Sequence, residues 1–242
     1  MLTLIAAAPA AADSPPLAAD LHYAECLATS RQNPAAGLAA AQDWRNAGGG
    51  FPAMHCAAVA LFGLARYPEA AAAFEALAGA MMQERPDLRA GALEQGGQAW
   101  LLAGKPEAAR HDFDAALQYT PIDPDLLIDR ARALADERQF AAAIADLDAA
   151  LKLAPERADA LVYRASSRRQ LGDLARARTD IDAALKLAPD DSGGLLERGN
   201  IRRLAGDAAG AREDWRAVER LAPKTPAALS AKDNLAALDA PK

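Results

Sequence analysis

Aromatic residues make up only 5% of the 242-residue chain, histidines number three and cysteines two, and the net charge is -6. Each shortage excludes something. A surface that neutralises phosphates needs clustered lysine and arginine, so a net acidic chain is read as having no nucleic-acid partner. No apolar run of about 20 residues occurs inside the patterned part of the chain, so no membrane span is expected there. The sequence carries no glycine-rich phosphate loop, no nucleophile elbow and no His-Glu-x-x-His zinc motif. No group of titratable residues converges at a catalytic spacing, and the chain is read as a non-enzyme without a cofactor.

What is present is alanine and a period. Hydrophobic residues reach 52%, mostly as alanine, the best helix former and small enough to let helices approach closely. Four gapless segments of 34 residues run over 90–123, 124–157, 158–191 and 192–225. Pro121, Pro155, Pro189 and Pro223 close them, and Leu93, Leu127, Leu161 and Leu195 share one register. Each segment reads as helix, turn, helix, turn. In the third, Leu161, Ala165 and Leu171 give helical spacing, Gly172-Asp173 breaks it, and Ala177, Ile181, Ala184 and Leu187 resume it before Pro189. Glu137-Arg138 marks the one inner turn without glycine. A fixed period of this length predicts an array in which each unit buries its apolar face only against its neighbours.

The segments resemble the tetratricopeptide repeat. Small residues at the eighth position (Gly97, Ala131, Ala165, Gly199) and large ones at the twenty-fourth (Phe113, Leu147, Ile181, Trp215) carry the likeness, with Ala109, Ala143, Ala177 and Ala211 at the twentieth and proline at the thirty-second. Leucine replaces the usual fourth-position tryptophan, and Val218 stands where a small residue is usual. The expected fold is all-α, a right-handed superhelical α-solenoid of helix-turn-helix units. Residues 51–83 read as a divergent unit and 20–47 as a degenerate helical pair. Extra residues around 83–89 predict a change of pitch. Residues 226–242 predict a capping helix and tail.

The first 20 residues differ from the rest. An apolar stretch, an Ala-x-Ala triplet at Ala10–Ala12 and a Ser-Pro-Pro linker look like the latter half of a secretory signal. Export to a bacterial periplasm is the expectation; the alternative is a cytoplasmic protein with a disordered tail.

Three other features invite chemistry. Asp112, Asp146, Asp180 and Asp214 recur at the twenty-third position, and Arg130, Arg164 and Arg198 at the seventh, where the first strong unit has Gly96. Pairing each aspartate with the following unit, Asp112–Arg130, Asp146–Arg164, Asp180–Arg198 and Asp214–Lys232, satisfies all four, so an inter-repeat ladder is expected; two solvated faces are the plain alternative. Near the start, Cys26 and Cys56 have three readings: a disulfide, two reduced core residues, or a metal site with His22. His55 adjoins Cys56 and cannot share its helix face. His111 is expected at the surface.

The third feature is the groove. The resemblance implies a concave face lined by the first helix of each unit, and therefore a protein or peptide partner. The Lys/Asn/Arg set with which some relatives clamp a carboxylate terminus is not present. Positions carried over by register include Glu94, Asp125, Asp159 and Ser166, with Gln98, Arg132, Arg169, Asn200 and Arg203 as the residues best able to hold a peptide. A self-associating structural oligomer is the rival reading, and a metal-handling envelope protein a third.

Overall fold

A computed structural model describes residues 18–81 and 85–240, and all thirteen regular elements in it are α-helices. The signal-like expectation for the N-terminal segment falls almost entirely outside the described residues. The helices come in antiparallel pairs. The degenerate pair is α1 (Ala18–Gln32) and α2 (Pro34–Asn46), and the divergent unit is α3 (Gly50–Gly63) and α4 (Tyr67–Ala80). The four regular units follow as α5 (Pro86–Leu102) with α6 (Pro106–Leu117), α7 (Pro124–Asp136) with α8 (Phe140–Leu153), α9 (Ala158–Gln170) with α10 (Leu174–Leu187), and α11 (Ser192–Leu204) with α12 (Ala208–Leu221). A single α13 (Pro226–Asp239) closes the array.

Helix ends obey local chemistry. Asp123, Asp173, Asp191, Asp207 and Thr225 cap the helices after them by accepting backbone N–H groups, each cap contributing about 1 kcal/mol. Part of the stretch read as an insertion belongs to a helix, because α5 starts at Pro86 with proline in its first turn. The inner turns pass through the left-handed region at Gly104, Gly172 and Gly206, with φ of 69°, 82° and 88°. The turn without glycine adopts the same conformation, putting Arg138 at φ 61°. A side chain there costs about 1–2 kcal/mol, so the pairing of α7 with α8 dictates the turn against local preference.

Within each unit the two helices touch at the eighth and twenty-fourth positions, and the volumes compensate. Gly97 faces Phe113, and a Cβ added at Gly97 would stand 2.5 Å from that ring; Gly199 faces Trp215 at similarly close range. Where the larger partner is aliphatic, Leu147 or Ile181, alanine takes the small position, and both alanines are buried. Trp215, Phe113, Leu147 and Ile181 are all fully buried, each burial stabilising by roughly 1.5–3 kcal/mol. The core is a line of such contacts rather than one centre: one cluster of buried residues extends from Leu77 to Ala160, another from Leu161 to Ala231, and smaller ones surround Phe74 and the cysteines.

The aspartate–arginine ladder is real, but its register differs from the inter-repeat expectation. Arg130 donates through Nε and Nη2 to Asp146 at 2.7 Å each. Arg164 grips Asp180 in the same way at 3.1 and 2.7 Å, and Arg198 grips Asp214 at 3.0 and 2.6 Å. Each pair lies within one unit. The reason is the hairpin itself. In two antiparallel helices joined by one turn, the seventh position lies across from the twenty-third just as the eighth lies across from the twenty-fourth. The link between units comes from the remaining nitrogen, since Arg130 Nη1 reaches Asp114 at 2.9 Å and Arg164 Nη1 reaches Asp148 at 2.6 Å. Asp214 takes a second guanidinium from Arg202; no ion pair to Lys232 is found among the described residues.

That register leaves Asp112 opposite Gly96, without the arginine its counterparts have. Asp112 is 2% exposed and its Oδ2 has no hydrogen-bond partner among the described residues. His111, itself at the surface as expected, approaches the other oxygen at 3.7 Å. Burial, helped by the nearby Glu75 carboxylate, pushes the Asp112 carboxyl up to about 7. Burial thus favours the protonated carboxyl at this rung, where the neighbouring rungs hold a guanidinium.

Candidate functional site

The first helices of successive units meet along one face. Residues of α5, α7 and α9 together line a hollow of about 190 Å³. The sixth position of each unit, omitted from the expected groove set, is central to this face: Gln95, Asp129, Tyr163 and Glu197.

Several residues expected to hold a ligand already hold the protein together. Gln98 donates to Asp129 at 2.7 Å and to Glu94 at 3.3 Å, and Arg132 donates to the other oxygen of Asp129 at 3.0 Å while lying over the Tyr163 ring. Asp129 is thereby buried with both oxygens satisfied. Arg169 pairs with the buried Glu197 at 2.6 Å. Asn200 accepts from Asn234 of the capping helix at 3.0 Å. Arg203 is exposed on α11. Gln98, Arg169 and Asn200 therefore each tie one helix to another by a hydrogen bond, and Arg132 reaches α9 through the Tyr163 ring. These bonds commit the Gln98 amide nitrogen, Arg132 Nη1, Arg169 Nε and Asn200 Oδ1 to the fold, and a peptide would compete with the protein for those atoms.

The charge left facing the hollow is acidic. Glu94, Asp125, Asp129 and Asp159 meet only Arg132 and Arg157 there. Arg157 spans Asp125 of its own unit and, across the unit boundary, Asp159. Burial and then the carboxylates of Asp129, Asp123 and Asp125 raise the Glu94 carboxyl to about 7, as expected for an acid among acids in a partly desolvated site.

A second cavity, about 380 Å³, lies at the N-terminal end of the same face, between α1, α3, α4 and α5. Its walls are mainly apolar, with one polar relay. Tyr23 Oη lies 2.7 Å from His55 Nδ1, and His55 Nε2 lies 3.1 Å from Gln95 Oε1. The Gln95 amide nitrogen donates to the Gly91 carbonyl, which turns its oxygen toward His55. Burial lowers the His55 pKa, so the ring is neutral, carries its proton on Nε2 and accepts from Tyr23. The sequence pattern sets His55 apart from the cysteine cluster and assigns no role to Tyr23 or Gln95. The signal was the sixth-position register that places Gln95 on the concave face.

Cys26 and Cys56 form a disulfide between α1 and α3, with Cα atoms 6.2 Å apart, which selects one of the three readings left open by the sequence. Both sulfurs are committed, so the metal reading loses its thiolate ligands. His22 instead stacks on Trp44 with centroids 4.3 Å apart.

A line of antiparallel helical pairs with a hollow along the face of their first helices defines an α-solenoid of the protein-interaction class. The tetratricopeptide repeat model matches residues 97–158, 128–192 and 164–226, more than half the chain, and the protein belongs to the tetratricopeptide repeat family. Solved structures agree on the fold. pilF of Pseudomonas aeruginosa, 15% identical, superposes over 90% of this chain and 97% of its own with a TM-score of 0.69. The Thermus thermophilus protein TTC0263, 20% identical, covers 75% of this chain and 94% of its own at 0.61. YrrB, described as a tetratricopeptide protein with an unusual peptide-binding site, is 19% identical over 75% of this chain and 91% of its own at 0.54. No curated protein sequence matches the chain.

Proposed function

We propose that this protein is a non-catalytic scaffold that binds a peptide or a segment of a partner protein along the concave face of its solenoid. The observation that carries the reading is the hollow formed jointly by α5, α7 and α9, which no single repeat could provide. Its walls are held by internal hydrogen bonds, so the site is preformed and little ordering entropy is lost on binding. YrrB, with the same fold, is described by its peptide-binding site.

The test is a cross-linking pull-down from the native cell. Ser166 is half-buried in a cavity that shares Arg132 and Tyr163 with the hollow, so Ser166→Trp crowds the groove and keeps the Arg169–Glu197 ion pair, losing only the Ser166 hydrogen bond to Glu197, whereas alanine at Arg132 or Arg169 would remove the guanidinium beside a buried carboxylate. Arg216→Ala, exposed on α12, serves as the control. A partner lost only from Ser166→Trp supports the groove; equal recovery from wild type and both variants refutes it.

We also infer an exported location. Its support is the Cys26–Cys56 disulfide, a bond that persists in oxidising compartments, together with the signal-like opening of the sequence. Thiol titration of denatured, unreduced protein from the native cell should find no free thiol, and two free thiols would overturn the inference. Self-association is the rival to peptide binding. Sedimentation at increasing concentration would show it as a growing species that Ser166→Trp abolishes.

A further inference from the structure

The two cavities of the concave face adjoin, and they differ in chemistry. Gln95 lines the apolar one and Glu94, the preceding residue of α5, lines the acidic one. Around the first, Phe51 and Leu88 are 43% and 47% exposed and both line the cavity, so an entering apolar side chain would cover apolar surface that now faces water. Its volume of about 380 Å³ lies within the range of ligand sites and holds a large aliphatic or aromatic side chain with room for backbone. Its polar relay is internally satisfied and neutral, and its one charged lining residue, Asp87, is exposed and already bonded to Arg85, so the apolar walls suit an uncharged side chain.

The second cavity specifies the neighbour. Four carboxylates face two guanidinium groups there, and Glu94 accepts from the uncharged amide of Gln98. A cation placed beside Glu94 would complement this surplus and replace the proton that the site otherwise takes up.

Resting on the peptide-binding reading above, we propose that the N-terminal half of the groove reads a peptide in which a large apolar side chain adjoins a lysine or arginine, the apolar group entering the Tyr23–His55–Gln95 cavity and the cation meeting Glu94 and Asp125. The apolar pocket anchors by burial, and the carboxylates supply orientation and on-rate.

The test uses the full chain and four fluorescent peptides sharing a Gly/Ser frame, with Phe–Lys, Phe–Glu, Ala–Lys or Ala–Glu at the centre, measured by polarisation. Phe–Lys should bind tightest, and changing either residue should cost roughly tenfold, the effect of one anchor group. Two variants assign the subsites. A Cβ at Gly91 meets nothing within 4 Å, so Gly91→Leu fills the apolar cavity while favouring the helix; it should abolish the preference for Phe over Ala and leave that for Lys over Glu. Glu94→Gln should do the reverse. Wild type should hold Phe–Lys several-fold tighter at about pH 8 than at about pH 6, and Glu94→Gln should lose that difference.

Equal binding of the four peptides, or a Phe preference that survives Gly91→Leu, overturns the inference. If that binding is still abolished by Ser166→Trp, the groove reading stands and only this assignment falls. If no peptide binds and the pull-down partner survives Ser166→Trp, both fall. Concentration-dependent sedimentation that Gly91→Leu abolishes would assign the cavity to a second copy of this chain and also overturn the proposal.

Discussion

Replacing Asp112 with asparagine should make the protein more stable, and by an amount that depends on pH. Asp112 is buried opposite Gly96, its Oδ2 has no hydrogen-bond partner among the described residues, and its carboxyl is raised from 3.8 to about 7. A raised carboxyl means that the folded chain holds a proton the unfolded chain releases more readily. Between about pH 4 and pH 7 the unfolded state therefore binds fewer protons, and stability falls as pH rises through that window. At ~1.4 kcal/mol per tenfold, moving from 3.8 to about 7 sets an upper bound of about 4 kcal/mol, and local relaxation brings the expected loss to about 2–4 kcal/mol. The side-chain amide introduced by Asp112→Asn cannot ionise, so the variant escapes that loss. Urea unfolding of both proteins from about pH 4 to pH 8 gives the difference in stability; it should be near zero at the acid end and reach about 2–4 kcal/mol at the alkaline end. Glu94 and His55 titrate in both proteins and cancel. A difference that stays flat with pH would refute the account of a proton standing in for the missing arginine. Gly96→Arg is the complementary change. A Cβ at Gly96 would lie 2.8 Å from Asp112 Oδ2, a carboxylate tip that can turn away to receive a guanidinium, and the substitution should likewise flatten the pH profile.

Other consequences are independent of that site. A double-mutant cycle on Arg164 and Asp180, joined by two hydrogen bonds with the aspartate buried, should give coupling of about 1–3 kcal/mol, while Arg164 with Asp146 should couple by less than about 0.5 kcal/mol; the reverse order would restore the inter-repeat register. Arg138→Gly should raise stability by about 1 kcal/mol by relieving the left-handed side chain, seen as a higher urea midpoint. Reducing the Cys26–Cys56 bond, with a sequence separation of 30, should cost about 3–4 kcal/mol on a loop-entropy reckoning. The loss should appear as faster amide exchange in α1 to α3 with little change in α9 to α13, because repeat arrays couple chiefly through neighbours; uniform acceleration throughout would contradict this.

The period alone fixed much of this protein. Prolines at 34-residue spacing, glycines at the inner turns and the small-large alternation determine the helices and their order, because each is a local requirement: proline ends a ladder, glycine admits positive φ, and a ring needs a glycine opposite. The aspartate–arginine ladder follows the same intra-unit pairing as that alternation, with Gly97 against Phe113 and Gly96 against Asp112. Seeking a partner for every aspartate pointed to the wrong register, because a buried carboxyl can also be satisfied by a proton. Tertiary structure alone decided which polar groups are engaged. Arg132, Arg169 and Asn200 have the composition of ligand donors, but their partners Asp129, Glu197 and Asn234 come from their own or a neighbouring helix at distances no sequence spacing states. Tertiary structure also brought Tyr23, His55 and Gln95, separated by 32 and 40 residues, into one relay, and it placed an apolar cavity beside an acidic one. Periodicity determines what each unit is; the stacking of units determines which side chains meet, because burial, charge and cavity shape are properties of the space between them.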